Sequence, residues 1–477
     1  MTSQTTQPDR LDPALIRLGL ALVLGVFMSM LDTTIVNVAL ETLGREFDTG
    51  LATMQWVVTG YLLALAVVIP TTGWLSDRFG AKRVFLFANA LFGSASLLCA
   101  LAWSPGSLIA FRLVQGAAGA LLMPVAQSIL ARAAGPKRMG RVMALVGLPA
   151  LLAPILGPVI GGIIVDHVSW WWIFLINVPV AVVSVLLCAR VLPADPPERR
   201  AGTFDVVGLC LLGPGLAALI YGLSEAGKAG SFTATGALTA LAAGAIGLAA
   251  FMSYAARRGD RALVPLAYFK DRAFAGSSVV SVVQGAAVFG VMLLLPLCYQ
   301  QVRGETALTA GLLLAPQGLG TALSMPIAGK LADRIGPRKV VMAGGLLILT
   351  STAVLTQVDA TTSYWLLALA LTVRGLGFGA TMMPAMAAGY RNLPPEAVGH
   401  ASSVLQILSR TGGTIGAALM AVVLTWNLSG ATDPGAAASA FADTFWWATA
   451  ATALIVVFAP LLPATPVPDT RTPGGSS

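Results

Sequence analysis

Apolar stretches separated by short polar loops run along nearly the whole chain, and their lengths set the architecture. About 20 consecutive apolar residues are enough to cross ~30 Å of hydrocarbon as a helix. Fourteen such spans are predicted, over residues 15–40, 52–74, 84–103, 107–130, 142–165, 170–192, 205–224, 233–255, 274–300, 307–331, 340–357, 364–387, 401–426 and 441–462. An even number puts both termini on one side. The expected fold is an all-α polytopic membrane protein.

Charge orients it. With the N-terminus in the cytoplasm, 23 of the 29 Lys and Arg residues fall on cytoplasmic segments and 3 (Arg45, Lys228, Arg303) in outer loops. The last 3, Arg112, Arg374 and Arg410, lie inside spans. This is the asymmetry of the positive-inside rule, and one helix more or fewer scrambles it. Both termini are therefore expected in the cytoplasm. Composition agrees: 10% of residues are charged, against about 25% in soluble proteins. The formal charge of +8 then reflects topology rather than nucleic-acid binding. The polar N-terminus lacks the pattern of a cleaved signal peptide. Four scattered cysteines and two histidines at segment ends suggest neither disulfides nor a metal site.

A repeat divides the chain. "GWLSDRFGAKRV" (73–84) returns as "GKLADRIGPRKV" (329–340), and "VQGAAGALLMP" (114–124) more loosely as "VRGLGFGATMMP" (373–384). Two six-helix halves are expected at 1–192 and 274–462, with two inserted helices and their linkers at 193–273 and a flexible cytoplasmic tail at 463–477. Paired parallel halves are a transporter architecture with the substrate site near the midplane between them.

Several residues then stand out. Asp32 is the only one of the 21 acids well inside a span, and Arg112 lies at a comparable depth, about 8 Å against about 13 Å at 1.5 Å per residue. Intramembrane charges usually face a polar interior and have a partner. With alternate access to water, Asp32 can take up a proton on one side and release it on the other; the alternative is a static carboxylate within a buried polar network. In the duplicated loop, Asp77 ends a helix, where the dipole disfavours an anion, so a pairing made in one conformation and broken in another would act as a latch. Gly73, Gly80, Arg78 and Arg83 belong to that latch, as do Asp333 and Arg334 of the second copy. The fifth span, "GLPALLAPILGPVIGGIIV", carries Pro154, Gly157, Pro158, Gly161 and Gly162. Gly157 and Gly161 allow close helix approach, and the prolines are tolerated where neighbours re-satisfy the backbone. Phe27, Trp56, Tyr61, Gln115, Phe289 and Met292 are candidates for an adaptable pocket. Arg374 and Arg410 either line that cavity or hydrogen-bond freed carbonyls.

These motifs resemble the major facilitator superfamily over nearly the whole chain. The loop at 73–83 looks like its signature, "RLVQGAAGA" its fourth-helix motif, and "GPVIGG" its antiporter motif. "LDTTIVNVAL" (31–40) is similar to the first-helix motif of the fourteen-helix drug:proton antiporters of the EmrB/QacA type. The resemblance implies coupling or substrate response at Asp32, proton transfer at Arg112, a conformational latch at Asp77 and Arg78, and the antiporter motif at Gly157, Pro158, Gly161 and Gly162. Ala81 departs from a usual basic residue and Glu41 from a usual proline, and no second deep acid stands in the C-terminal half.

The expected activity is proton-coupled efflux of amphipathic, drug-like compounds across the cytoplasmic membrane by alternating access. The partners are a lipophilic substrate, protons and membrane lipid, with no nucleic acid. No cofactor is expected beyond the proton gradient, and a monomer suffices because the pathway lies within one chain. "AGKLAD" lacks the features of a phosphate loop. The runner-up is a dedicated exporter of one compound, such as a self-made antibiotic, a lipid or an amino acid; an uptake symporter ranks lower. A membrane enzyme would call for clustered catalytic groups in a large outer loop, and residues 427–440 hold one charge, Asp433.

Overall fold

The computed structural model describes residues 13–134, 153, 156–157, 159–165, 167–195, 202–359, 361–394, 397–429 and 434–465. Pro154 and Pro158 lie outside this set, as does most of the fifth predicted span. Five helices build the first part of the chain: α1 (Pro13–Glu46), α2 (Leu51–Val68), α3 (Thr72–Phe79), α4 (Ala81–Ala100) and α5 (Pro105–Ala134). Helical backbone resumes over 159–165, followed by α6 (Trp172–Leu175), α7 (Asn177–Val191), α8 (Val206–Ala229) and α9 (Thr235–Arg258). The remainder comprises α10 (Arg272–Gln301), α11 (Ala307–Leu312), α12 (Ala315–Ile335), α13 (Pro337–Leu355), α14 (Tyr364–Tyr390), α15 (Val398–Leu428) and α16 (Pro434–Phe458).

Among the described residues, 12 helical segments are long and apolar enough to cross a membrane. The predicted span 307–331 differs from the rest. It is broken between α11 and α12, where Pro316 opens the second helix, and α12 ends on Lys330, Asp333 and Arg334. Proline likewise interrupts the second span: a 3-10 turn at Ile69–Thr71, with Pro70 inside it, joins α2 to α3.

The sequence repeat recurs as geometry. Gly80 and Gly336 occupy matching positions and both have positive φ, +92° and +90°, a conformation open to glycine at little cost. Each starts the helix that follows. Beside Gly80, the Asp195 carboxylate accepts from the backbone N–H of Lys82 (2.9 Å) and of Arg83 (3.2 Å), serving donors that a helix start leaves free. Lys82 Nζ donates to the carbonyls of Ala189 and Leu192. Arg338, its counterpart, donates from Nε to Leu462 O at 2.8 Å. Each loop is thus tied to the chain leaving the last helix of its own half.

The inserted pair α8–α9 packs against itself with backbones in near contact, since a Cβ at Gly244 would strike the main chain of Leu219 and Gly215. α8 also touches α2 in one half and α15 in the other. Its start is held by Asp205, which accepts from Gly208 N (3.0 Å), Tyr254 Oη (2.6 Å) and Leu263 N (2.8 Å), with Arg258 Nε at 3.8 Å. In the C-terminal half, α10 and α15 meet along small residues: a Cβ on Gly285 would overlap Ser409 O, and one on Gly412 would overlap Val282 O. Gly285→Val should therefore cost about 1–3 kcal/mol by overpacking and lower the thermal unfolding midpoint of the detergent-purified protein. Gly236→Ala, where nothing lies within 4 Å of an added Cβ, should leave it unchanged.

Candidate proton-coupling site

Asp32 and Arg112 meet in the middle of the N-terminal half. Arg112 Nη1 lies 2.5 Å from Asp32 Oδ2, and both side chains are fully buried. A buried pair of this kind persists only where its remaining donors and acceptors are also served. Gln115 serves both partners. Its Oε1 accepts from Arg112 Nη1 at 2.6 Å, and its Nε2 donates to Asp32 Oδ1 at 3.0 Å and to Ser96 Oγ at 2.5 Å. Asn177 Nδ2 adds a donor to Asp32 Oδ1 at 3.0 Å and reaches Ser96 Oγ at 3.3 Å.

Helix α2 completes the enclosure. Arg112 Nε donates to Val57 O at 3.1 Å, and the guanidinium lies over the Tyr61 ring, 4.2 Å from its centroid, a favourable cation–π position. The Tyr61 hydroxyl donates to Ser29 O on α1 at 3.3 Å, and Phe174 stands 5.8 Å from the guanidinium on another side. Spacing explains the convergence. Arg112 and Gln115 are three residues apart and share one face of α5. Asn177 opens α7 and Ser96 lies in the last two turns of α4, so both reach the same depth.

The hydrogen-bond inventory favours one state. Asp32 accepts three N–H donors, from Arg112, Gln115 and Asn177, which is what an ionised carboxylate requires. A protonated Asp32 would need an acceptor, yet Gln115 Oε1 is already shared by Arg112 and Cys99. Arg112 Nη2 has no hydrogen-bond partner among the described residues.

The antiporter-motif glycines lie on the other side of α1. A Cβ on Gly157 would overlap the Thr34 side chain, one on Gly161 would press on Ile35, and Thr34 Oγ1 donates to Ala153 O at 3.1 Å. Gly162 faces open space. The fifth span thus packs on α1 within a turn of Asp32.

The latch residues occupy the join between the halves. Asp77 Oδ2 lies 3.1 Å from His400 Nε2 at the start of α15, and Asp77 Oδ1 lies 3.5 Å from Arg132 Nη2 on α5. The His400 ring rests on Gly73, where any side chain would collide with it. Nearby, Ser402 Oγ donates across the halves to Pro124 O at 3.4 Å. Arg78 and Arg83 are exposed. In the second copy, Asp333 is half-buried and Arg334 exposed at the end of α12.

The other candidates are spread more widely. Gln115 belongs to the Asp32 cluster. Trp56 stacks on Tyr221 of the inserted pair, with ring centroids 5.8 Å apart. Phe27 and Met292 are half-buried, and Phe289 is 48% exposed. Arg374 is buried; its Nη1 donates to Gln317 Oε1 at 2.6 Å and its Nη2 to Ala287 O at 3.3 Å. Arg410 is half-buried on α15. Sequence reasoning missed Asn177, Ser96, His400, Asp195 and Asp205. A lone amide in "WIFLINVPVAVV" was the available signal for Asn177.

Arg112→Ala should destabilise the protein by about 3–5 kcal/mol, because it leaves Asp32 buried and unpaired. Asp32→Asn combined with Arg112→Gln should recover most of that loss. Thermal unfolding of the wild type, Arg112→Ala and the double variant in one detergent measures both effects.

Comparison with known proteins places this arrangement in a family. The family model described as Major Facilitator Superfamily matches residues 22–417 and 278–476. The Multidrug resistance protein B homolog of Mycobacterium tuberculosis is 40% identical over 430 residues, covering 90% of this chain and 79% of that protein. The Multidrug export protein EmrB of Escherichia coli is 32% identical over 426 residues (86% and 80%). The Methylenomycin A resistance protein of Streptomyces coelicolor is 34% identical over 406 residues (85% and 84%). Two solved structures share the fold: the human organic anion transporter MFSD10 (TM-score 0.63, 19% identity, 92% of this chain and 100% of that one) and the proton:xylose symporter XylE (0.63, 14%, 93% and 96%). The chain is a multi-span membrane protein of the Major Facilitator Superfamily, in the group that includes the EmrB multidrug exporters.

Proposed function

We propose that the protein exports amphipathic, drug-like compounds across the cytoplasmic membrane in exchange for protons, by alternating access, with no cofactor beyond the gradient. The observation that carries the reading is the sealed Asp32–Arg112 cluster, a buried carboxylate held by one guanidinium and two amides. A proton on Asp32 Oδ2 neutralises the oxygen that faces Arg112 Nη1 and releases the guanidinium from its partner, while Oδ1 can still accept from Gln115 and Asn177. Those groups sit on α1, α5 and α7, and Arg112 also grips α2, so one proton loosens helices throughout the N-terminal half. Ala153, Gly157 and Gly161 of the fifth predicted span meet α1 at Thr34 and Ile35, beside Asp32, so a change there would be passed to that span.

The remaining features support the same cycle. The 12 apolar segments, the broken α11–α12 segment and the predicted span 142–165 together make fourteen membrane crossings, with both termini in the cytoplasm by the distribution of Lys and Arg. Asp77 then lies on the cytoplasmic side, and its contacts with His400 and Arg132 hold that end closed while substrate leaves outward. The names of the relatives support drug export. The likeness to a methylenomycin A resistance protein favours, as a second reading, export of a single antibiotic. A monomer completes the pathway.

Proteoliposomes with an imposed pH gradient and an internal pH dye test the reading. Adding lipophilic cations or neutral antibiotics to the wild type should trigger proton flux, and Asp32→Asn should abolish it. Wild-type levels of flux in Asp32→Asn would move coupling elsewhere. Asp77→Asn should preserve substrate binding while slowing turnover, as read from substrate-dependent flux against equilibrium binding in the same preparation.

A further inference from the structure

A cavity of about 1070 Å³ opens well away from the Asp32 cluster, at the end of the molecule that carries Asp77. Its wall is drawn from three bodies: Trp74 and Asp77 on α3, the ends of the inserted pair with Asp205, Tyr254, Arg257 and Arg258, and His400 on α15, with Arg261 in the turn after α9. Three guanidiniums and an imidazole thus face two carboxylates. Both carboxylates are already engaged. Asp77 is shared by His400 and Arg132, and Asp205 accepts three hydrogen bonds with Arg258 alongside. Arg257 and Arg261 are exposed and make no hydrogen bond or ion pair among the described residues. The positive-inside rule accounts for the side of the membrane on which these arginines lie, but not for two of them lining a cavity whose acids are spent.

We propose that this cavity binds a phosphate-bearing anion, Arg257 and Arg261 supplying the free donors and Trp74 and Tyr254 the amphipathic wall. Basic pockets between helices on the cytoplasmic face suit anionic lipid headgroups, and guanidinium forks match phosphate oxygens. A headgroup here touches the N-terminal half, the inserted pair and the C-terminal half at once. It therefore favours the arrangement in which Asp77 and His400 are together, by the ordinary rule that a ligand shifts the balance toward the state it binds better. Binding stands independently of the efflux reading; only its assignment to the cytoplasmic leaflet rests on the orientation proposed above.

The full chain in detergent is titrated with dihexanoyl phosphatidylglycerol, the matching phosphatidylcholine, glycerol phosphate and inorganic phosphate, and thermal unfolding is followed. Phosphatidylglycerol should raise the midpoint saturably and phosphatidylcholine should not. The double variant Arg257→Gln/Arg261→Gln should need about 30-fold more lipid for the same shift, at roughly fivefold per arginine. Glycerol phosphate or inorganic phosphate reproducing the shift would identify a soluble phosphate as the occupant and support the site. No shift with any anion, or a full response in the double variant, would overturn it. Native mass spectrometry of the wild type, comparing retained phosphatidylglycerol with phosphatidylcholine, tests the site without a variant: preferential retention of phosphatidylglycerol supports it, and equal retention sinks it.

Discussion

A carboxylate and a guanidinium sealed together inside a membrane bundle constrain everything around them. Neither Asp32 nor Arg112 can be stranded without a large penalty, so neighbouring helices must deliver amides and a hydroxyl to within hydrogen-bond distance. Ser96, Gln115 and Asn177 do this, and Tyr61 covers the guanidinium with its ring. The small residues of α5 follow from the same demand: a Cβ on Gly116 would strike the Tyr61 carbonyl, so α5 can bring Arg112 against α2 only with glycine there. Charge burial, helix proximity and glycine content are one constraint in the N-terminal half.

The C-terminal half solves a related problem differently. Arg374 is as deeply buried as Arg112, but its Nη1 and Nη2 donate to an amide oxygen and a backbone carbonyl, its Nε has no partner among the described residues, and it meets no carboxylate among them. Its position in the looser sequence repeat corresponds to Gln115 rather than to Arg112. Related halves have thus diverged at the midplane while keeping the loop geometry of Gly80 and Gly336. The buried acid–base pair sits in one half, and the positive charges of Arg374 and Arg410, with no carboxylate partner among the described residues, sit in the other.

Much of this was readable from the chain. Continuous apolar runs are a strong signal because lipid requires every backbone group to be satisfied within its own helix, and most predicted spans appear within a few residues of their expected ends. Asp32 and Arg112 announced themselves by scarcity and matched depth. The partners did not. Asn177 and Ser96 are ordinary polar residues until the fold brings them beside a carboxylate. His400 lies 323 residues from Asp77, beyond any local pattern. The break between α11 and α12 was hidden in a run whose overall hydropathy reads as continuous, although Pro316 marks it.

The inserted pair carries a mechanical consequence. Backbone-to-backbone contact makes α8 and α9 a stiff unit, yet α8 leans on both halves. On one side the grip is specific: Trp56 stacks on Tyr221, and Trp74 Nε1 donates to Gly202 O at 2.9 Å. On the other, Gly227 faces Ala418 and Ala421 and Gly230 faces Thr425, close contacts with no hydrogen bond among the described residues. A rigid strut that is clamped at one face and smooth at the other behaves as a bearing. Were the halves to rock, such a strut would travel with the N-terminal half while α15 slid along it.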